Sequence, residues 1–266
     1  MDRRSIGIMD SGIGGLTVVK VLQRQLPHES LVFVGDQARL PYGVRPMTQI
    51  QQFCLQIAHF LQTYDIKLMI IACNTATAAA LDYLKDQLPV PVIGVISPGS
   101  QAVVQLPVHK TVGVIATEQT IRSGAYTAQI HALDPTVEVR GLACQEFVTL
   151  VEHNQMGTTT AQEMVTRKMQ VFNEHPVDAL IYGCTHFPLL ENEIRRALQY
   201  SIPLVDAGAA TAEYVKRKLI EFDGLSDAPH AQNRYFTTGD PSEFHQVASQ
   251  WLGDSMLDIS NIKLGD

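Results

Sequence analysis

The sequence predicts an α/β protein made of two pseudo-symmetric α/β domains with mostly parallel sheets. Along its 266 residues, short apolar runs alternate with amphipathic segments, the βαβα rhythm that places helices on the faces of a parallel sheet. The rhythm also repeats. S-I-G-I-M-D-S around Asp10 matches T-V-G-V-I-A-T around Thr117, an offset of 106 when Gly7 pairs with Gly113. Cys73 and Cys184 are 111 apart, and P-V-I-G-V-I-S-P-G from Pro91 and P-L-V-D-A-G from Pro203 are 112 apart. Nearly constant offsets through three landmarks mean two related units rather than one long sheet; chance similarity among Val/Ile-rich strands is the competing explanation. With 45% hydrophobic and 18% charged residues, the composition is that of a globular protein able to fill such cores.

The strands follow from apolar runs too short for helices and ended by small polar residues, the pattern of strands buried on both faces. They are expected at residues 6–9, 31–34, 68–72 and 92–96, then 112–116, 137–142, 179–182 and 204–205. Amphipathic segments at 16–25, 48–64, 76–87, 160–174 and 190–199 supply the helices between them. Beyond Asp206 come a helix at 210–222, a Gly/Asp/Pro-rich loop at 223–232, a short strand at 234–238 and a last helix at 241–252. This tail has no counterpart in the second unit and is expected to return to the first. The expected division is therefore 1–97 plus 208–266 for one domain and 98–207 for the other.

The net charge of −7 and the lack of a basic stripe argue against a nucleic-acid partner. The four cysteines, 54, 73, 144 and 184, form no C-x-x-C pair and no metal-ligand spacing, so no metal is expected. No apolar run reaches the length of a membrane span, and the start M-D-R-R-S-I-G-I-M-D lacks a cleavage site and is broken by Asp10. A cytoplasmic protein with reduced thiols, and no membrane partner, is expected.

Chemistry concentrates where the apolar runs end. L-M-I-I-A-C-N-T-A-T places Cys73, Asn74 and Thr75 just after one expected strand, and A-L-I-Y-G-C-T-H-F-P places Cys184, Thr185 and His186 just after another. Open α/β sheets bind ligands at the carboxyl ends of their strands. Two thiols at equivalent points of two similar units suggest a pair of acid/base groups facing one substrate. A free thiol, with a pKa near 8.5, needs roughly 2 kcal/mol of differential stabilisation to reach about 7, and N–H groups at a helix start could supply part of it. The bland alternative, a small buried apolar residue, suits Cys54 and Cys144. His186 can pair with the neighbouring thiol or with substrate, or be a structural histidine under a loop. D-S-G-I-G-G-L from Asp10 lacks the G-x-G-x-x-G and G-K-[ST] spacings. It therefore reads as a carboxylate and a hydroxyl (Ser11) on a close-approach turn rather than as a nucleotide loop. Asp10 as a plain helix cap is the alternative. G-D-Q-A-R-L-P-Y-G, with Pro41, Tyr42 and Gly43, is either a ligand-contacting loop or turn chemistry, and Glu152 ends an apolar stretch as a candidate second carboxylate.

With Asp10-Ser11-Gly12, Pro41-Tyr42-Gly43, Cys73-Asn74-Thr75 and Gly183-Cys184-Thr185-His186 in this order, the chain resembles the glutamate racemases of the aspartate/glutamate racemase family. The resemblance runs from the first strand to about Asp206. It implies an active site between two pseudo-symmetric domains and a cofactor-independent isomerase that interconverts L- and D-glutamate. Such an enzyme supplies D-glutamate for peptidoglycan, and so for cell-wall biogenesis and cell shape. It implies Cys73 and Cys184 as the paired acid/base thiols, acting on D- and L-glutamate respectively, with Asp10, His186 and Glu152 as assisting groups. It places substrate contacts on Asp10, Ser11, Pro41, Tyr42, Gly43, Asn74, Thr75, Thr185 and His186, and more loosely on Thr117 and Thr120. Related aspartate and hydantoin racemases carry Glu where this chain has His186, which favours glutamate. An aspartate or related racemase is the alternative within the class. A cysteine hydrolase using Cys184 and His186 leaves Cys73 and the repeat unexplained, and a non-catalytic amino-acid-binding protein is the rival outside enzymes. The expected partner is the small-molecule substrate, with a homodimer as the assembly to test.

Overall fold

The computed structural model describes residues 1–265. The first unit opens with β1 (Ser5–Asp10), α1 (Leu16–Gln25), β2 (Leu31–Gly35), α2 (Met47–Gln62), β3 (Ile66–Ile71), α3 (Asn74–Gln87) and β4 (Val92–Gly94). After α4 (Ile96–Val104) the second set follows as β5 (Thr111–Ala116), α5 (Glu118–Ser123), α6 (Ala125–Leu133), β6 (Glu138–Ala143), α7 (Gln145–Glu152) and α8 (Thr159–Glu174). It continues through β7 (Ala179–Gly183), α9 (Glu191–Ala197) and β8 (Leu204–Asp206). α10 (Ala207–Glu221), β9 (Arg234–Thr237), α11 (Pro241–Leu252) and β10 (Ile259–Asn261) complete the chain.

Two sheets result, in the orders β10-β9-β2-β1-β3-β4 and β6-β5-β7-β8, and every strand pair is parallel. The segments β2-β1-β3-β4 and β6-β5-β7-β8 are the same arrangement, with β1, β3 and β4 matched by β5, β7 and β8. The offsets of 106 to 112 residues in the sequence are this symmetry. β9 pairs with β2, Phe33 opposite Tyr235, so the C-terminal segment extends the first sheet. Among the described residues no helix is long and apolar enough to cross a membrane.

Period-2 alternation sorts the strand side chains onto the two faces of each sheet. Ile6, Ile8, Leu68 and Ile70 join Ile115, Leu180, Tyr182 and Phe187 in one apolar core that runs from sheet to sheet through α1, α10 and α11. Met9, Met69 and Ile71 face α2 and α3 on the outer side, and Val112, Val114 and Ile181 face α4 and α6.

Several elements differ from expectation. The run at 92–96 is a strand only to Gly94, and Ile96 already begins α4. Pro98 does not prevent this, because in the first turn of a helix its missing N–H has no partner to lose. α5 and α6 are two short helices joined by Gly124 at φ +67°, a left-handed link that breaks the periodicity a longer helix would show. The helix expected at 190–199 is shorter, a 3₁₀ turn (Phe187–Leu190) leading into α9. α7 and the three-residue edge strand β10 were not expected.

Candidate active site

In the order β2-β1-β3-β4 the chain turns in opposite directions from β1 and from β3, and a crevice opens at their carboxyl ends. The same holds for β5 and β7. Asp10 and Ser11 leave β1, and Cys73, Asn74 and Thr75 pass from β3 into α3. Thr117 and Thr120 sit where β5 enters α5, and Cys184, Thr185 and His186 leave β7. The two sets meet around one small cavity. Both thiols line it, with Ser11, Asn74, Thr75, Thr117, Thr185 and His186; the 3₁₀ turn at Tyr42–Val44 brings Pro41, Tyr42 and Gly43 to its wall.

Asp10, Glu152 and Thr120 lie behind the lining. Asp10 does not cap a helix: its Oδ1 accepts from the Gly12 amide at 3.0 Å and its Oδ2 from the Thr185 hydroxyl at 3.3 Å. That second bond joins the two units across the cavity floor. Thr75, Thr117 and Thr120 form a second crossing, a cluster of hydroxyls 2.9–3.2 Å apart. Tyr42 is buried and donates to Asp36, a carboxylate that also accepts from Arg39 and Thr238. The turn carrying Gly43 is thereby held against the first sheet.

The thiols differ in surroundings. Cys184 Sγ lies 3.6 Å from His186 Nδ1, and His186 Nε2 lies 2.5 Å from Glu152 Oε1, a thiol–imidazole–carboxylate chain. Burial alone would pull the imidazole's pKa down. The partners on its two nitrogens, Cys184 and Glu152, outweigh burial and hold it well above the usual range, so the ring is an imidazolium facing a sulfur. Cys73 caps α3, its sulfur 3.4 Å from the Ala76 amide and 3.5 Å from Ser11 Oγ. Burial first, and then the Asp10 charge, push its pKa up to about 12, beyond what those two bonds recover. Asp10 itself is pushed up to about 6 by burial, with the His186 charge opposing. The two thiols thus sit in unlike surroundings, Cys184 beside a histidine and Cys73 beside a helix amide and a hydroxyl.

Four lining residues were not among the expected site residues: Leu40, Gln145, Val148 and Gly183. Gln145 could have been found, since it follows Cys144 at the carboxyl end of β6, a position of the kind that singled out Cys73. Its Oε1 is buried with no hydrogen-bond partner among the described residues. Cys54 and Cys144 are buried outside the cavity lining, their thiols pushed up in pKa by burial.

A family model described as Asp/Glu/Hydantoin racemase matches residues 6–215. The glutamate racemase of Limosilactobacillus reuteri (strain DSM 20016) is 46% identical over 266 residues, covering 100% of this chain and 99% of its own. Glutamate racemase isoform RacE1 of Bacillus anthracis superposes with a TM-score of 0.96 at 36% identity, with 99% of each chain covered. A glutamate racemase of Francisella tularensis in complex with D-glutamate superposes at 0.92 with 36% identity, again over 99% of each chain. Likeness over the whole length, in sequence and in backbone, joins the symmetric pair of sheets and the two thiols on one cavity: the chain belongs to the Asp/Glu/Hydantoin racemase family.

Proposed function

We propose that this protein interconverts L- and D-glutamate by moving a proton off one face of Cα and onto the other, between Cys184 and Cys73. The observation that carries the reading is that the two thiols, on matching strand ends of two matching sheets, line one small cavity with unlike partners, Cys184 the His186 imidazole and Cys73 the Ser11 hydroxyl. Racemisation without turning the substrate over needs a thiolate on one face to take the α-hydrogen and a thiol on the other to give one. Cys184, beside the His186 imidazolium, is the base for L-glutamate. Cys73, kept neutral by burial and by Asp10, is the acid. In the reverse direction the roles exchange, and the α-ammonium of a bound amino acid offsets the Asp10 charge that holds the Cys73 proton in place.

The carbanion-like intermediate places charge on the α-carboxylate. The Thr75–Thr117–Thr120 hydroxyls and the free N–H groups opening α3 are donors preorganised for it. Pro41, Tyr42, Gly43 and Ser11 form the wall for the side-chain carboxylate, with Asn74, Thr185 and His186 completing the contacts. The reading places no cofactor or metal in the reaction. The active site lies between units divided as 1–97 with 208–266 and 98–207. A cytoplasmic setting that keeps its cysteines reduced suits the thiol chemistry, and the product D-glutamate would serve peptidoglycan synthesis.

Circular dichroism on the two glutamate enantiomers tests this. Either one should lose its signal to zero with enzyme alone, unaffected by a chelator or a carbonyl reagent, while aspartate is turned over poorly. Unchanged glutamate signals, or comparable kcat/KM for aspartate, would overturn the assignment.

A further inference from the structure

We propose that Tyr126 is a positioning residue that locks the Asn74 amide with its Nδ2 toward the cavity and ties together the two strand ends that carry the thiols. The inference rests on the racemase reading and adds to it a residue that does not line the cavity. Tyr126 sits on α6, 3% exposed. Its hydroxyl donates to Asn74 Oδ1 at 2.7 Å, across to the first unit and to the residue after Cys73. The same ring lies behind the residue before Cys184: a Cβ on Gly183 would stand 3.1 Å from Tyr126 Cε2. Its hydroxyl also borders Gly99, where a Cβ would stand 3.5 Å from it and 3.0 Å from Ala207 Cβ. Gly99 is on α4 and Ala207 on α10, the two helices through which the chain passes from one sheet to the other. One side chain therefore bonds Asn74 on one thiol-bearing loop, backs Gly183 on the other, and borders α4, one of the two connections between the sheets.

An asparagine amide offers one acceptor and two donor hydrogens, and its orientation decides which end meets a ligand. With Oδ1 occupied by Tyr126, reversing the amide would leave the buried hydroxyl hydrogen without an acceptor, a costly outcome away from water. Burial, with the Asp206 and Cys184 charges nearby, pushes the phenol's pKa up, so it stays a donor at any working pH. Among the described residues nothing accepts from Asn74 Nδ2, and Asn74 lines the cavity. The amide therefore presents donors to a carboxylate oxygen of an amino acid, and Tyr126 keeps it so.

The test is a double-mutant cycle of Tyr126→Phe and Asn74→Ala, with kcat and KM measured for both glutamate enantiomers beside wild type. Tyr126→Phe keeps the ring against Gly183 and removes only the hydroxyl. KM should rise about three- to tenfold for each enantiomer, the worth of one hydrogen bond, with kcat changing less. In the Asn74→Ala background the same change should add nothing further. Unchanged KM in Tyr126→Phe, or losses that simply multiply in the double variant, would overturn the proposal. If Phe at 126 does not fold, Asn74→Asp answers the same question, because it keeps the acceptor for Tyr126 and replaces the donor. A KM no higher than wild type would then overturn it. Wild type that leaves both enantiomers unchanged would overturn the racemase reading itself, and this proposal with it; active wild type beside an unaffected variant overturns this proposal alone.

Discussion

Asp10 sits under the cavity with no exposed surface and a carboxyl pushed from 3.8 up to about 6 by burial. At 1.36 kcal/mol per pH unit, that displacement is worth roughly 3 kcal/mol. Its sign follows from linkage: a raised folded-state pKa gives stability that is full below 3.8 and is lost as pH climbs through about 6. At neutral pH the ionised carboxylate therefore weakens the fold. Asp10→Asn, which can still accept from the Gly12 amide, should be more stable than wild type at pH 8 by up to roughly 3 kcal/mol. Thermal unfolding of both proteins at pH 5 and pH 8 checks this: the gap should widen with rising pH, while a gap independent of pH would contradict it. The same variant should lose racemase activity if Asp10 assists Cys73. Single residues at strand ends were legible in the sequence because an apolar run announces its own end; Cys73, Cys184, Asp10 and Thr117 share that signal. Tyr126 had none, lying within a short helix, and its link to Asn74, 52 positions away along the chain, exists only in the folded protein.

Among the elements, β3 is tied at its start to two distant segments. Lys67 is buried, its Nζ 2.5 Å from Glu29 Oε2, and it donates to the backbone oxygens of Asp2 at 2.7 Å and Gly224 at 2.8 Å. Glu29 in turn accepts from the Ser226 amide at 2.8 Å. The N-terminus and the loop after α10 are thus pinned under the first sheet, at the end opposite the thiols. Removing one partner strands the other charge in the interior, which costs about 3–5 kcal/mol. Lys67→Met should lower the denaturation midpoint accordingly while leaving KM near wild type, since nothing it touches lines the cavity. A midpoint within error of wild type would show the pair to be unimportant. The strands and longer helices were legible because they are long enough to show a period. What was missed is short or turns on one residue: α5 and α6 divided by Gly124, α4 begun inside a Val/Ile-rich run, α7 following a cysteine, and β10 with three residues at an edge. Length is the physical limit, since a segment of three to nine residues samples too few turns for its pattern to stand out.

For the molecule as a whole, the internal repeat carried furthest: offsets of 106 to 112 residues correspond to two sheets with one topology, each contributing a thiol from its third strand in that topology. The part of the cavity wall built by Val148 was out of reach, because it depends on how α7 lies over the seam between the sheets. The symmetry has a kinetic consequence. Enantiomers are equal in free energy in water, so kcat/KM must be equal in the two directions for wild type and for every variant. Cys73→Ser and Cys184→Ser should therefore each lower both directions together, by a factor on the order of 10²–10⁴ or more, although in the proposed mechanism each thiol meets only one enantiomer as base. Near-normal turnover in either variant would make that cysteine structural. The central claim, two single-proton groups on opposite faces, is tested most directly by racemisation of each enantiomer in deuterated water. A thiol that has taken the α-hydrogen can return it only to the face it came from, and the opposite thiol has already exchanged with solvent. The product should carry deuterium from the first turnovers while recovered substrate stays largely unlabelled, in both directions. Product that retains the substrate's own hydrogen, or deuterium entering substrate as fast as product, would contradict the account.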